Sequence, residues 1–271
     1  MAAVAGGGEI PVPNGSFESP VTTYVSLSID SWQRTPKPPG YVESGGFTWD
    51  QLTGLFKNPA PGLRDHIVNC DGAQALWLFA VPGAGLFQDS FPGGAGGGVA
   101  RFEVGKAYGL TVGVIGGGGG MAPGAGLELG LYFQDAASNR VTAASASVIH
   151  DPGVFTSITN LVDFRLAIPP VLAGDACVGQ PIGVHLIAGQ TPAGSGGYWD
   201  LDHVRLVEIP PLTLSSPVIA DGQVVFAIES WPGLVVEVLA AEAPELPVTA
   251  WVRLGPLTNR TGTILFREPL I

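Results

Sequence analysis

The segment Tyr198-Trp199-Asp200-Leu201-Asp202-His203-Val204-Arg205-Leu206 sets two carboxylates two residues apart in a run otherwise suited to a buried strand. Side chains of an extended chain alternate between faces, so Asp200, Asp202, Val204 and Leu206 are expected on one side and Leu201, His203 and Arg205 on the other. Val204 and Leu206 mark the first side as the core face. At least one carboxylate then points inward, where an unpaired charge is costly unless a cation, a basic group or several hydrogen bonds meet it. Arg205 lies on the wrong face to do so. A Ca²⁺ ion, which takes six to eight oxygen ligands, suits an acidic chain poor in Cys and His. The other reading puts Asp200 and Asp202 at the strand end, in solvent or capping a neighbouring turn; alternation alone leaves both standing.

Catalytic constellations are sparse. Nucleophilic catalysis needs a nucleophile with its base, and acid–base work needs carboxylates whose environments separate their pKa values. His66, His150, His185 and His203 are scattered, no Gly-x-Ser-x-Gly elbow occurs, and the Asp65-His66 and His150-Asp151 neighbours would point apart in a strand. Glu43, Glu103 and Glu128 remain as candidate acids for a hydrolase. The five-glycine run Gly116 to Gly120 lacks the Gly-Lys-Ser/Thr that follows in a phosphate-binding loop and is expected to form a hairpin loop. Cys70 and Cys177 lie in no zinc-type spacing and fit either one disulfide or two thiols. Asn14-Gly15-Ser16 and Asn259-Arg260-Thr261 match the glycosylation sequon.

Aromatic rings grip neutral ligands by stacking. Trp77, in the apolar Ala75 to Val81 run, is expected in the core, whereas Tyr41, Phe47 and Trp49 fall in a loop-like region and are the candidate ligand-binding residues.

The elements that must position these groups are strands. Short runs of Val, Ile, Leu, Phe and Tyr, bounded by Gly, Pro, Asn and Asp, recur through all 271 residues, and helical periodicity is hard to find. The double proline at Ile209-Pro210-Pro211 breaks the pattern and divides a domain over 10–209 from a small β module over 210–271, after a flexible leader over 1–9. Twelve basic against 23 acidic residues give a formal charge of −11, which repels phosphate backbones and argues against nucleic acid as a partner. No run of eighteen apolar residues suggests a transmembrane segment. Only 13% of residues are charged while 46% are hydrophobic, so the surface is unusually neutral.

The opening Ile10-Pro11-Val12-Pro13-Asn14-Gly15-Ser16-Phe17-Glu18, then Trp32, and the closing Trp199-Asp200-Leu201-Asp202-His203-Val204-Arg205-Leu206 resemble the two ends of galactose-binding-like jelly-roll modules, a group that includes carbohydrate-binding modules of the family 4/9/22 type. That resemblance, over roughly residues 10 to 209, implies a jelly-roll sandwich, so the fold class expected for the chain is all-β, a jelly-roll sandwich followed by the small antiparallel β domain. It also implies neighbouring first and last strands with a structural Ca²⁺ held at Glu18 and Asp202, with Asn14 and Asp200 as further candidates. His203 stands where the family has Asp or Asn. The function implied is a non-catalytic, secreted or cell-surface module that binds a glycan. A self-assembling surface or filament subunit, forming a homo-oligomer or polymer, is the alternative. A more distant resemblance, to the cyanobacterial cyclases of indole alkaloid biosynthesis, carries the same jelly roll and a similar Asn-x-Ser-Phe-Glu opening.

Overall fold

Alternating and continuous apolar runs become strands along most of the chain. The computed structural model describes residues 8–43, 46–93, 98–192 and 196–269. The chain separates into two compact units between Val207 and Glu208. The larger is built from β1 (Glu9–Ile10), β2 (Val25–Ser26), β3 (Gln33–Arg34), β4 (Thr53–Lys57), β5 (Gln74–Phe79), β6 (Gly85–Gln88), β7 (Ala107–Gly118), β8 (Gly126–Gln134), β9 (Arg140–Ile149), β10 (Val162–Ile168), β11 (Gly183–Ala188) and β12 (Tyr198–Ile209). These strands form two sheets, β10-β7-β12-β5-β4-β2 with β1 also on β12, and β3-β6-β11-β8-β9. Their facing side chains, among them Leu55, Leu76, Leu78, Val112, Leu129, Leu186 and Trp199, make one core, and the molecule is an all-β sandwich. Trp32 joins that core, its indole N–H donating to the Asn14 carbonyl at 3.0 Å.

The first and last strands are neighbours: Glu9 and Ile10 pair antiparallel with Val207 and Leu206. The five-glycine run is less of a loop than its composition suggests, since β7 continues through Gly118. Cys70 and Cys177 are both free thiols, which removes the disulfide alternative.

The smaller unit carries β13 (Thr213–Leu214), β14 (Val218–Ala220), β15 (Gln223–Glu229), β16 (Val235–Ala240), β17 (Val252–Thr258) and β18 (Thr263–Pro269). β15 is central in a four-stranded sheet with β13, β14 and β18, and β16 and β17 form a separate hairpin. Asn259 is buried there, donating to the Ser230 carbonyl at 3.0 Å and accepting from the Gly262 N–H at 2.8 Å. No helix among the described residues is long and apolar enough to cross a membrane.

One irregularity decides where the acidic residues point. His203 has φ +58°, in the left-handed region that a non-glycine residue occupies at a cost. It breaks the alternation of β12: Trp199 and Leu201 are core residues before the break, and Val204 and Leu206 after it. Apolar residues thus shift from odd to even positions, as at a β-bulge. The expectation that Asp200 shares the face of Val204 and Leu206 is corrected accordingly, because Asp200 lies ahead of the slip and turns to the outer face of the sheet.

Candidate active site

That outer face carries a cleft of about 930 Å³, within the size range of small-molecule sites. Its floor follows from strand register. Tyr198 pairs with Phe79 and Asp200 with Trp77, so two consecutive outward positions of β12 lie beside two of β5. Trp77 was expected in the core, but in Gln74–Phe79 it is Leu76 and Leu78 that enter the core, and Trp77 lines the cleft. In an apolar run on both faces, periodicity is silent about which ring goes where. Phe56 and Ile115 come from the flanking strands β4 and β7, and Tyr24, Phe47 and Ile158 rise from loops as walls. Phe47 packs on Phe79 with centroids 4.7 Å apart, and Phe79 on Tyr198 at 6.0 Å. The Trp77 indole N–H donates to the Gln51 carbonyl at 3.2 Å.

Asp200 stands on this floor beside Trp77, and the other charged residues that line the cleft are Lys57, Arg64 and Asp65. Burial, and after it the charge of Asp65, push the Asp200 carboxyl up to about 7, because a low-polarity surrounding and a nearby like charge both disfavour the anion. The same two influences raise the Tyr198 phenol, burial first, with Asp200 and Asp65 adding. A carboxyl poised near neutrality in an aromatic cleft can give and take back a proton.

Of the three aromatic candidates, only Phe47 lines the cleft. Trp49 is buried and donates its indole N–H to the Thr35 carbonyl at 2.6 Å. Tyr41 packs edge-on against Trp49 at 4.9 Å and donates its hydroxyl to the Phe47 carbonyl at 2.9 Å. The two therefore brace Phe47 from behind. Density of aromatics in a loop could not separate a wall from its support.

The four candidate metal ligands divide. Glu18 Oε1 accepts from the backbone N–H groups of Ala73 and Gln74, at 2.8 and 2.7 Å. Asp202, fully buried, accepts from the Asp71 N–H at 2.7 Å through Oδ2 and from its neighbour His203 N–H at 2.7 Å through Oδ1. Both carboxylates thus converge on the 70–74 loop, and their negative fields, with that of Asp71, all act on Cys70, whose thiol burial already pushes up. Burial also raises the Asp202 carboxyl to about 7, against the pull of its two backbone N–H donors. Asn14 stands apart, because its amide is spent on the backbone: Nδ2 donates to Ser19 O at 2.7 Å and Asp30 O at 2.9 Å, and Oδ1 accepts from Ser19 N–H at 2.9 Å. Asp200 is on the cleft floor. Among the described residues no three His, Cys, Asp or Glu side chains gather as a metal cluster, so an ion at Glu18 and Asp202 would draw its other oxygens from elsewhere, as Ca²⁺ does from carbonyls.

No protein-family model and no curated protein sequence matches the chain. Solved structures do. The chain is similar to a cyclase from Fischerella sp. TAU in complex with 4-(1H-indol-3-yl)butan-2-one, at 21% identity and TM-score 0.54, with 76% of this chain and 99% of that one covered. Over about three quarters of its length the chain shares the fold of that cyclase. A second, the Stig cyclase Fisc from the same organism in complex with (3Z)-3-(1-methyl-2-pyrrolidinylidene)-3H-indole, matches at 20% identity and TM-score 0.53, covering 75% of this chain and 98% of that one. Carbohydrate-binding modules match at a lower level, among them the CBM22-1 xylan-binding domain of a Paenibacillus barcinonensis protein, at 11% identity and TM-score 0.35 over 66% of this chain and 85% of that one. The expectation that the chain is not an enzyme is contradicted by the first two matches, both cyclases, which share the fold over 98–99% of their own length.

Sequence reasoning missed Asp200 as a cleft residue, along with Tyr198, Trp77 and Phe79. The signal was present in the apolar phase of β12, which runs Trp199, Leu201 and then Val204, Leu206.

Proposed function

We propose that the chain is an acid-initiated cyclase whose catalytic residue is Asp200. The observation that carries this reading is the position of that carboxyl, beside Trp77 and next but one to Tyr198 among the aromatic rings that line the cleft. An unsaturated, largely apolar substrate lies on Trp77, Phe79 and Tyr198. Asp200 transfers its proton to one carbon of a substrate double bond, and the cation that forms faces ring π-electrons, which attract positive charge. A second π-bond of the same molecule attacks that cation and closes the ring. A proton lost from the cyclised cation returns to the Asp200 carboxylate, so the product is an isomer of the substrate and the acid is regenerated. The cleft's aromatic lining and the fold it shares with two cyclases crystallised with indole compounds support an aryl-bearing substrate.

The direct test is incubation with alkenyl indoles in D₂O, with products resolved by mass spectrometry. A cyclised isomer carrying one deuterium at the protonated carbon is the expected result; conversion without deuterium, or no conversion of any alkenyl arene, rejects the reading. Binding has its own test. Trp77→Ala removes the ring beside Asp200 and is expected to weaken 4-(1H-indol-3-yl)butan-2-one about tenfold by calorimetry, in keeping with ~1–3 kcal/mol for stacking on one aromatic side chain.

Glu18 and Asp202 are proposed to hold a structural Ca²⁺. Their support is hard oxygen chemistry at one loop: two carboxylates from opposite ends of the sandwich, one fully buried, with His203 Nε2, 3.8 Å from Asp202 Oδ2, as the nearby basic group. Such an ion would neutralise the buried charge and tie the chain's opening to its last sandwich strand.

A further inference from the structure

The two rings flanking Asp200 lie down on glycines. A β-carbon at Gly118 would sit 2.6 Å from Tyr198 Cδ2 and 2.8 Å from its Cζ, distances at which real atoms do not coexist. On the other side, a β-carbon at Gly54 would lie 2.5 Å from Trp77 Cζ2. Sheet order runs β7-β12-β5-β4. Tyr198 on β12 therefore leans over β7 and Trp77 on β5 leans over β4, on either side of the Asp200 position. A side chain at either glycine would have to displace the ring that covers it. This also accounts for part of the Gly116–Gly120 run, which the chemistry of the site does not otherwise use: Gly116 makes room for the core ring of Trp199, whose Cζ3 would be 2.8 Å from a β-carbon there, and Gly118 makes room for Tyr198.

We infer that Gly118, through the reclined Tyr198 ring, is a specificity-determining position that sets how large a ring system reaches Asp200. The inference rests on reading the cleft as the substrate site. Gly118 is the informative place to test it. Its φ lies outside the left-handed region, so the backbone accepts alanine, and the atoms closest to a β-carbon there are all of the Tyr198 ring. Gly54 is a poorer choice, since a β-carbon there would also lie 2.6 Å from the Ser26 carbonyl oxygen.

The experiment is a double-substitution cycle of Gly118→Ala and Tyr198→Ala in the full chain, with affinities for 4-(1H-indol-3-yl)butan-2-one and the one-ring 4-phenylbutan-2-one measured by calorimetry, and a crystal structure of Gly118→Ala. The G118A chain is expected to bind the two-ring probe about tenfold more weakly relative to the one-ring probe, the scale of a small steric change in an apolar pocket. In the Y198A background the same substitution should change that ratio less than twofold, because the ring it would displace is gone. The crystal structure should show the Tyr198 ring raised into the cleft. An unmoved ring, an equal loss for both probes, or the same effect of G118A with and without Tyr198 overturns the inference. Those outcomes leave the catalytic reading intact if Asp200→Asn still abolishes turnover. Undiminished turnover in D200N, with the expected coupling between positions 118 and 198, would instead overturn the catalytic reading alone.

Discussion

Asp200→Asn is expected to lower turnover by about 10²- to 10⁴-fold, the usual contribution of a positioned proton donor, while changing the affinity for an indole probe less than about threefold. The amide fills the same volume on the floor between Tyr198 and Trp77 but has no proton of comparable acidity to give. The same substitution should stabilise the fold, and the sign follows from linkage. The folded carboxyl is raised from 3.8 to about 7, so between those values the folded chain keeps a proton that the unfolded chain has released, and stability falls as pH rises. Above about pH 7 the folded chain carries a charge in poor surroundings and the penalty is complete. Asn removes it, so D200N is expected to melt several degrees higher than the parent at pH 8 and at nearly the same temperature near pH 4. A variant inactive because it is misfolded would melt lower at both pH values. Equal melting at pH 8 would mean that the carboxyl is not strained by its site, and retained turnover would remove it from the chemistry.

Asp202→Ala should destabilise the sandwich strongly. It strips the acceptors from the Asp71 and His203 N–H groups beside a fully buried position, and a buried donor left unpaired costs about 1–3 kcal/mol. A fall in melting temperature of roughly 10 °C is expected at about 2–4 °C per kcal/mol for a domain of this size. Asp202→Asn keeps one oxygen acceptor and, because burial raises this carboxyl too to about 7, sheds a charge penalty above that pH, so it should lose far less than Asp202→Ala. The contribution of an ion is separable from this. EDTA should lower the melting temperature of the parent chain and added Ca²⁺ restore it, whereas D202N should melt identically in either buffer. A parent chain indifferent to EDTA would leave the Asp71 and His203 hydrogen bonds as the whole of Asp202's role and remove the ion.

Two residues of one strand show what the sequence could and could not convey. Asp202 falls beside the loop that Glu18 also reaches, and both ends of that clasp were readable from the opening and closing segments. Asp200 was placed with it because strict alternation says that residues two apart share a face. The slip at His203 breaks that rule, and the type of residue that takes φ +58° there carries no strong signature. The pairing of apolar residues on both sides of the slip did carry the information, in Trp199 and Leu201 against Val204 and Leu206. The strands themselves were legible because their apolar runs end at Gly, Pro, Asn and Asp. The cleft was not, because Trp77 and Phe79 sit in a run apolar on both faces, and whether a ring joins the core or a cavity depends on strands distant in sequence. Likewise Tyr41, Phe47 and Trp49 are alike as residue types and differ only in which of them the fold turns outward.

The rings that recline on Gly54 and Gly118 have an evolutionary consequence. Every glycine codon is a single nucleotide change from an alanine codon, so the space beside Tyr198 can be altered at Gly118 in one mutational step that leaves Asp200 in place. Among related chains, a change in the size of the ligand accepted should therefore be sought first at position 118.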